Sequence, residues 1–176
     1  MSTLGVITDT HIPQRMRSLP PRVFEAFRGV DMILHAGDIN SCCVLDELAQ
    51  IAPVEAVAGN ADLFQRGLPL TRVIEIAGKR IGLAHGHGGW SRYLLGKLHD
   101  RLGYSEEYYL NIVQRSFGSM DAIVFGHTHR YFRAIRAGTL FFNPGPVAPD
   151  YYNTYGPQVG LLHVTPASIE SEIASL

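Results

Sequence analysis

Four short apolar runs in this chain each stop abruptly at polar or glycine residues, and this pattern restricts the folds open to it. Runs of this length, bounded in this way, are typical of buried β-strands. They are Thr3 to Thr8, Asp31 to Ala36, Val54 to Ala58 and Ala122 to Phe125. We therefore predict a buried strand at each of these positions.

The segments between the first three runs are compatible with helices. Pro20 to Arg28 begins with two prolines, which suit a first helical turn, and Ser41 to Ile51 begins with a serine that can cap a helix. The resulting order is β-α-β-α-β. Crossovers of this kind are right-handed and favour a parallel sheet, so the carboxyl ends of the strands should open together at one edge.

The pattern changes beyond residue 70. Thr71 to Ala77 and Arg80 to Ala84 flank Gly78-Lys79, which predicts a β-hairpin and the start of a second sheet. Helices are predicted over Ser91 to Leu102 and Ser105 to Phe117, the latter because two acids occupy its first turn. Further strands are predicted at Tyr131 to Arg136, Thr139 to Phe142, Val159 to Val164 and Ile169 to Ile173.

These elements predict an α/β (α+β) fold of two packed mixed β-sheets flanked by helices. The 176 residues contain 46% hydrophobic side chains and no repeat or linker, so residues 1–176 are expected to form one domain. The proline-rich stretch from Asn143 to Pro157 is predicted to be a long surface loop and a candidate rim for a site.

Composition and charge exclude several classes of function. A net charge of -1 gives no general attraction to polyanions, so stable nucleic-acid binding is not expected. No apolar segment approaches the length of a membrane span, and the N-terminus lacks the pattern of a signal peptide, so a cytoplasmic protein is expected. Cys42 and Cys43 are adjacent, which suits neither a disulfide framework nor a zinc site, and they are interpreted as packing residues near a helix start.

Polar side chains follow five of the predicted strands, at the point where each strand ends. Each cluster alone is explained as an ordinary turn, but five clusters that converge on one sheet edge offer carboxylate, amide and imidazole ligands for two divalent metals. The clusters are Asp9-Thr10-His11, Gly37-Asp38, Gly59-Asn60-Ala61-Asp62, His85-Gly86-His87-Gly88-Gly89 and Gly126-His127-Thr128-His129.

In order and spacing these clusters resemble the D-x-H, G-D, G-N, H and G-H-x-H signature of the calcineurin-like metallophosphoesterases. The resemblance runs from Asp9 to the Asn143-Pro144-Gly145 turn. It is nearest to the small single-domain phosphodiesterases of bacteria and archaea. It implies the metallophosphoesterase sandwich of two sheets, and metal-dependent hydrolysis of a small phosphate ester, most readily a diester.

The resemblance also implies a role for each ligand. Asp9, His11 and His129 would bind one metal. Asn60, His85 and His127 would bind the other, and Asp38 would bridge the two. A hydroxide shared by the two cations would attack phosphorus while the cations stabilise the equatorial oxygens, so no protein nucleophile is required. Manganese is the expected metal, although the mixed ligands also suit iron, nickel and zinc.

The remaining histidines of the clusters are less clearly assigned. Asp38 and Asn60 are expected to serve in catalysis as well as in metal binding. Either His85 or His87 could reach a metal; the family pattern favours His85, and His87 is expected to contact the substrate unless it is an exposed loop histidine. His35 is interpreted as a buried structural residue, and no chemistry is assigned to His99 or His163.

One position departs from the family pattern. Many members of the superfamily place a histidine after the G-N asparagine, where it can protonate the leaving group, but this chain has Ala61. Losing a positioned general acid costs about 10² to 10⁴ in rate, most of all with poor leaving groups. The small phosphodiesterase branch often lacks this histidine too, so the change lowers the expected efficiency rather than excluding activity.

A noncatalytic scaffold or protein-binding module is the alternative function, because the same fold serves as a scaffold in the retromer complex. Fold alone does not decide between them. A scaffold need not keep all its metal ligands, whereas all seven positions here hold competent side chains, which favours catalysis. Assembly into a homo-oligomer is the expected state.

Overall fold

The computed structural model describes residues 1–62, 67–89, 93–96, 103–150 and 153–176. The strands and helices follow in chain order: β1 (Ser2–Ile7), α1 (Pro21–Ala26), β2 (Met32–His35), α2 (Cys42–Ala49), β3 (Val54–Ala56), β4 (Thr71–Ile76), β5 (Lys79–Ala84), α3 (Glu106–Arg115), β6 (Ala122–Val124), β7 (Phe132–Arg136), β8 (Thr139–Asn143), β9 (Gln158–Val164) and β10 (Ile169–Ser175).

In the described part of the chain the strands form two mixed sheets, as predicted, with five strands in each. The first sheet has the order β10-β9-β1-β2-β3, and the second has the order β4-β5-β6-β8-β7. Strands β1, β2 and β3 are parallel, with Ile7 beside His35 and His35 beside Ala56. In the second sheet β5, β6 and β8 are parallel, and β4 and β7 pair antiparallel at its two edges. The parallel strands therefore carry the segments that contain the polar clusters.

Strand β1 has no polar side chain from Leu4 to Ile7, where it is fully buried. Its alternate residues Leu4 and Val6 belong to the core cluster that also includes residues of the second sheet, whereas Ile7 belongs to the cluster under α1 and α2. Because side chains alternate across a strand, both faces of β1 are buried and both must be apolar. Helix α3 packs similarly on the second sheet, with Leu110 and Val113 in one cluster with strand residues.

Helix α3 begins where its sequence predicts. The Ser105 hydroxyl accepts a hydrogen bond from the backbone N–H of Tyr108 at 3.4 Å, and Glu106 and Glu107 occupy the first turn. Both features stabilise the positive end of the helix dipole. Of the helix predicted over residues 91–102, residues 93–96 are helical, and the rest, including His99, lies outside the described residues.

The hairpin between β4 and β5 is displaced by one residue from its prediction. The turn lies at Ala77 and Gly78, with φ of 51° and 76°, and Lys79 already belongs to β5. Two consecutive left-handed residues produce the twist that matches flanking strands in a tight hairpin. The prediction that Gly78 and Lys79 form the turn was wrong because Ala77 adopts a left-handed conformation, which alanine rarely does.

The prediction for the two cysteines was also wrong. Cys42 and Cys43 lie at the start of α2, as expected, but both are exposed. The buried face of this helix is formed by Val44 and Leu48, which are four residues apart, and the cysteines fall outside it. They therefore contribute no core packing.

The predicted surface loop after β8 is buried in its first part. Residues 143–148 are all buried, and the backbone N–H groups of Val147 and Ala148 donate to the carbonyls of Thr8 and Asp9, both at 3.2 Å. This segment therefore lies directly against the end of β1 instead of on the surface. None of the helices in the described part of the chain is long and apolar enough to cross a bilayer.

Candidate metal centre

The polar clusters come from two sheets, not from one edge as the sequence suggested. Asp9, Asp38 and Asn60 follow strands β1, β2 and β3 of the first sheet, whereas His85 and His127 follow β5 and β6 of the second. The two groups meet at the same end of the sandwich, where the backbone N–H of His127 donates to Asp9 Oδ2 at 3.2 Å. The site is therefore assembled across the gap between the sheets.

Asp9 is fully buried and is held by one of its two carboxylate oxygens. Oδ2 accepts hydrogen bonds from the Thr8 hydroxyl at 2.8 Å and from the His127 backbone. Oδ1 accepts no hydrogen bond among the described residues, and it lies 3.1 Å from His129 Nε2. The fixed oxygen thus orients the other one toward the imidazoles.

In Asp38, too, one carboxylate oxygen is held by the backbone and the other faces imidazoles. Oδ1 accepts a hydrogen bond from the backbone N–H of Ala61 at 2.7 Å. Oδ2 lies 3.6 Å from His11 Nε2 and 3.4 Å from His85 Nε2. One carboxylate oxygen therefore faces two imidazoles that follow strands of different sheets.

The first group of candidate ligands is compact. One ligand atom from each of Asp9, His11, Asp38 and His129 can be chosen so that all four lie within 4.8 Å of one another. Nε2 of His11 and Nε2 of His129 are only 3.4 Å apart. Two imidazole nitrogens and two carboxylates directed at one small volume form a donor set that suits a divalent transition metal.

The second group lies on the other side of Asp38. His85 Nδ1 is 2.7 Å from the carbonyl oxygen of Ala36, which can only accept, so Nδ1 carries a proton and Nε2 is the nitrogen left to bind a metal. The His127 ring packs edge-on to the His85 ring, with centroids 5.1 Å apart. Asn60 directs its amide nitrogen toward Asp38 Oδ2 at 3.4 Å.

Three buried polar atoms in these groups lack hydrogen-bond partners among the described residues. They are Asp9 Oδ1, Asn60 Oδ1 and His85 Nε2. A buried polar atom without a partner costs about 1 to 3 kcal/mol, so three at one site call for an explanation. Each is an oxygen or nitrogen donor of the kind that ligates divalent cations, and bound metal would satisfy all three.

The two carboxylates of the site stay ionised although both are buried. Burial opposes ionisation of Asp9, but the imidazoles of His129, His85 and His11 outweigh it and lower the pKa of its carboxyl below its ordinary value. Burial likewise opposes ionisation of Asp38, whose pKa is nevertheless lowered to about 2, mainly by His85. Both carboxylates are therefore ionised at neutral pH.

The imidazoles divide into two kinds. Burial lowers the pKa of His85 and of His129, but the carboxylates beside them outweigh burial and raise these pKa values to about 9 and about 8. Burial dominates elsewhere: it lowers the pKa of His127 to about 3 and also lowers that of His11. In the absence of metal, His85 and His129 are therefore protonated at neutral pH. A bound cation would replace the proton on the nitrogen that ligates it.

Strained backbone conformations are concentrated in the turns of the site. Eight non-glycine residues of the described chain have positive φ, and six of them lie in the turns of the site. Such conformations cost about 1 to 3 kcal/mol and cluster where function requires them. The six are Asp9, His11, Asp38, Asn40, His127 and His129.

Two glycines allow the loops to approach one another. A Cβ at Gly59 would lie 2.1 Å from Asp38 Oδ1, and a Cβ at Gly126 would lie 2.0 Å from the Thr8 hydroxyl oxygen. Any larger residue would push the carboxylates of Asp38 or Asp9 out of position. The positions before Asn60 and His127 therefore have room only for glycine.

Asp62 holds two of the loops together, a role that the sequence did not suggest. One of its oxygens accepts from the N–H groups of Ile39 and Asn40 at 2.9 and 2.7 Å, and the other accepts from Gly59 at 2.8 Å. In the sequence Asp62 stands two residues after Asn60, in a cluster that alone indicates only an ordinary turn. Its carboxylate instead fixes the loop after β2 against the loop after β3.

Asp150 and Arg15 were also missed. Asp150 Oδ2 is 2.6 Å from His129 Nδ1, and Arg15 forms an ion pair with the same carboxylate. The three residues are far apart in sequence, and neither Asp150 nor Arg15 belongs to a recognisable motif. No local pattern could have identified them.

His87 is buried, so its interpretation as an exposed loop histidine was wrong. Only 4% of it is exposed, and its ring centroid is 5.5 Å from that of His85 and 6.2 Å from that of His127. Burial, together with the charge of His85, lowers its pKa to about 4. It therefore lies beside the second group as a neutral imidazole.

His35 and His163 lie where the sequence analysis expects them, and the turn after β8 supports a ligand loop. His35 is fully buried, and its Nδ1 accepts from the backbone N–H of Gly37 at 3.2 Å. His163 lies away from the site, near Thr3 and Glu172. The Asn143 side chain donates to the Gly126 carbonyl at 2.9 Å and so supports the turn that carries His127 and His129.

Comparison with known proteins gives consistent results. Residues 2–166 match the model of the calcineurin-like phosphoesterase superfamily domain. A protein of Methanothermobacter thermautotrophicus named a "probable metallophosphoesterase" is 36% identical over 171 residues, which cover 97% of this chain and 90% of that protein. A "probable metallophosphoesterase" of Methanocaldococcus jannaschii is 37% identical over 147 residues, which cover 83% of this chain and 69% of that protein. Among solved structures, wild-type Vps29 of Entamoeba histolytica in complex with zinc has a TM-score of 0.73 and 25% identity, covering 98% of each chain.

Proposed function

The chain belongs to the calcineurin-like phosphoesterase superfamily, and from that premise we propose that it is a metal-dependent phosphodiesterase that holds two divalent cations. The observation that carries the proposal is the position of Asp38 Oδ2 between His11 and His85, at 3.6 and 3.4 Å from their Nε2 atoms. A carboxylate so placed can be shared by two cations, as two-metal hydrolysis requires.

The side chains divide into two sets around Asp38. Asp9, His11 and His129 would hold one cation, and Asn60, His85 and His127 would hold the other. With two carboxylates against two divalent cations, the loaded site would keep a net positive charge. That charge favours an anionic phosphate ester as the substrate.

When bound, the cations would supply Lewis-acid stabilisation and an activated water. The residues of the chain prepare the ligands for this. Ala36 fixes the proton of His85 on Nδ1 through its carbonyl, and Thr8 and His127 hold one oxygen of Asp9, so that the ligand atoms face the site without rearrangement. Such preorganisation is a large part of electrostatic catalysis.

We propose a diester in preference to a monoester, with manganese as the first metal to test. A monoester dianion brings an additional negative charge that strengthens ground-state binding without accelerating the reaction. His87 lies beside His85 and His127 and is proposed to contact the substrate. Ala61 supplies no general acid, so activated leaving groups should be preferred.

The test is turnover by the metal-loaded protein. Metal-free protein would be loaded with Mn²⁺ and assayed against a panel of nucleotide and lipid-headgroup diesters, with the corresponding monoesters in parallel. Diester hydrolysis that disappears on chelation and returns with Mn²⁺ is the expected result. Two bound cations with no hydrolysis across the panel would reject the enzymatic proposal.

A scaffold is the second candidate function. It is favoured by the likeness to Vps29, a vacuolar protein sorting protein that binds zinc in one of the similar structures. Metal binding alone therefore does not distinguish the two functions. Turnover does, because a scaffold predicts cation binding without hydrolysis.

A further inference from the structure

His129 is held from behind by a buried carboxylate. Its Nδ1 lies 2.6 Å from Asp150 Oδ2, and the side chains of the two residues are only 11% and 7% exposed. Arg15 forms an ion pair with the same oxygen of Asp150. Asp150 lies beyond β8 and Arg15 beyond β1, so the contact joins loops that follow both sheets.

This contact determines which way His129 points. A carboxylate can only accept, so Nδ1 of the imidazole carries a proton and Nε2 is the nitrogen left to bind a metal. Nε2 is the atom that faces Asp9 Oδ1 at 3.1 Å and His11 Nε2 at 3.4 Å. A hydrogen-bonded carboxylate also makes the imidazole a stronger electron donor to a metal.

The corresponding atom of His85 has a weaker partner. Its Nδ1 donates to the neutral carbonyl of Ala36 at 2.7 Å. The two proposed cation positions are therefore supported differently, one by a carboxylate and the other by a peptide oxygen. This difference is a property of residues outside the ligand motifs.

We propose that Asp150, fixed by Arg15, is a positioning residue that orients His129 and makes the cation position of Asp9, His11 and His129 the tighter of the two. This inference rests on the proposed function only for the existence of a two-cation site. The cation at that position should bind first as metal is added. Loss of the Asp150 charge should then reduce the difference between the two binding steps.

The experiment is a calorimetric titration of Mn²⁺ into metal-free protein. Asp150→Asn keeps the size of the side chain and removes its charge. Glu107→Gln is the matched control, because Glu107 also pairs with an arginine, Arg136, but on an exposed face of α3. Asp150→Asn should weaken the tighter step by about 10- to 100-fold and the other step by less than about threefold, with the control unchanged.

A second measurement uses the wild-type protein and so does not depend on a variant that folds. In the zinc-loaded protein, nitrogen-15 correlation spectra of the imidazoles should show His129 protonated on Nδ1 and ligated through Nε2. Ligation through Nδ1, or equal affinities in Asp150→Asn and wild type, would overturn the inference about Asp150 alone. A wild-type protein that binds no cation would overturn the proposed function itself.

Discussion

Asp38 Oδ2 and His85 Nε2 lie 3.4 Å apart, although they follow strands of different sheets. The separation is too long for a strong hydrogen bond and leaves His85 Nε2 without a partner among the described residues. A cation held by both residues would give His85 Nε2 a partner. The predictions below depend on this relationship.

Asp38→Asn should abolish most of the activity and leave the fold intact. The amide can still accept the hydrogen bond from Ala61, but it cannot offset the repulsion between two nearby cations. Because Lewis-acid stabilisation is worth several kcal/mol, kcat/KM should fall by roughly 10²-fold or more. Steady-state kinetics with metal analysis and circular dichroism test this, with Asp121→Asn as a remote control. Near-normal turnover with two bound cations would show that Asp38 is not the bridge.

Aryl diesters should be better substrates than the matching monoesters. The extra charge of the monoester strengthens binding to the loaded site in the ground state as well as in the transition state, so it does not raise kcat. The comparison is kcat/KM for bis-aryl and mono-aryl phosphates with the same leaving group. A clearly higher value for the monoester would make the protein a phosphatase.

The rate of diester cleavage should depend steeply on the pKa of the leaving group. Ala61 is a methyl-sized side chain whose N–H is already committed to Asp38, so it offers no proton to the departing oxygen. Aryl diesters should therefore be cleaved far faster than alkyl diesters, and Ala61→His should reduce the difference. A flat dependence in the wild type, with product release excluded as the limiting step, would mean that another residue supplies the proton. His87, which is buried beside His85 and His127, would be the first residue to test.

Affinity for Mn²⁺ should rise with pH up to about pH 9. Asp38 and Asp9 overcome the effect of burial and raise the pKa of His85 to about 9, so metal-free His85 holds a proton at neutral pH and must lose it on ligation. Affinity should therefore increase with pH by up to about tenfold per unit below that value and level off above it. Calorimetry in buffers of different ionisation enthalpy counts the protons released. No proton release at pH 7 would contradict the assignment of His85 as a ligand.

Asp62→Ala should destabilise the protein more than removal of an exposed acid. The Asp62 carboxylate accepts hydrogen bonds from three backbone N–H groups, those of Ile39, Asn40 and Gly59, and the residue is only 4% exposed. Hydrogen bonds to a charged group contribute about 1.5 to 3 kcal/mol each, so a loss of about 3 kcal/mol or more in the free energy of unfolding is expected. Asp121→Ala, in an ion pair with Lys79, should cost about 1 kcal/mol or less. Denaturant unfolding of both variants makes the comparison, and equal losses would refute it.

The sequence predicts the strands well because their signal is local. A strand segment buried on both faces must be apolar, as β1 is from Leu4 to Ile7, and the side chains at its end must be polar if they line a site. The candidate ligands could be chosen for that reason. The hairpin at Thr71 to Ala84 does indicate a second sheet, but the pattern does not show that the strand ends of the two sheets meet at one site.

Contacts between distant residues account for what was missed. Asp150 resembles any loop aspartate until the chain brings it to His129, and the buried turn after Asn143 resembles a loop until it pairs with Thr8 and Asp9. The cysteines show the converse error. Their type suggests burial, but the face of α2 is set by Val44 and Leu48, and the helix places the cysteines outside it.

Because the candidate ligands are divided between the sheets, metal binding would link the two sheets together. Asp9, His11, Asp38 and Asn60 come from the first sheet, and His85, His127 and His129 come from the second. Each cation, in the proposed arrangement, would join two segments of chain that no covalent bond connects nearby. The two cations would form a reversible cross-link between the sheets. Removing them with a chelator would favour local unfolding, and so proteolysis, at that end of the sandwich and not at the opposite end.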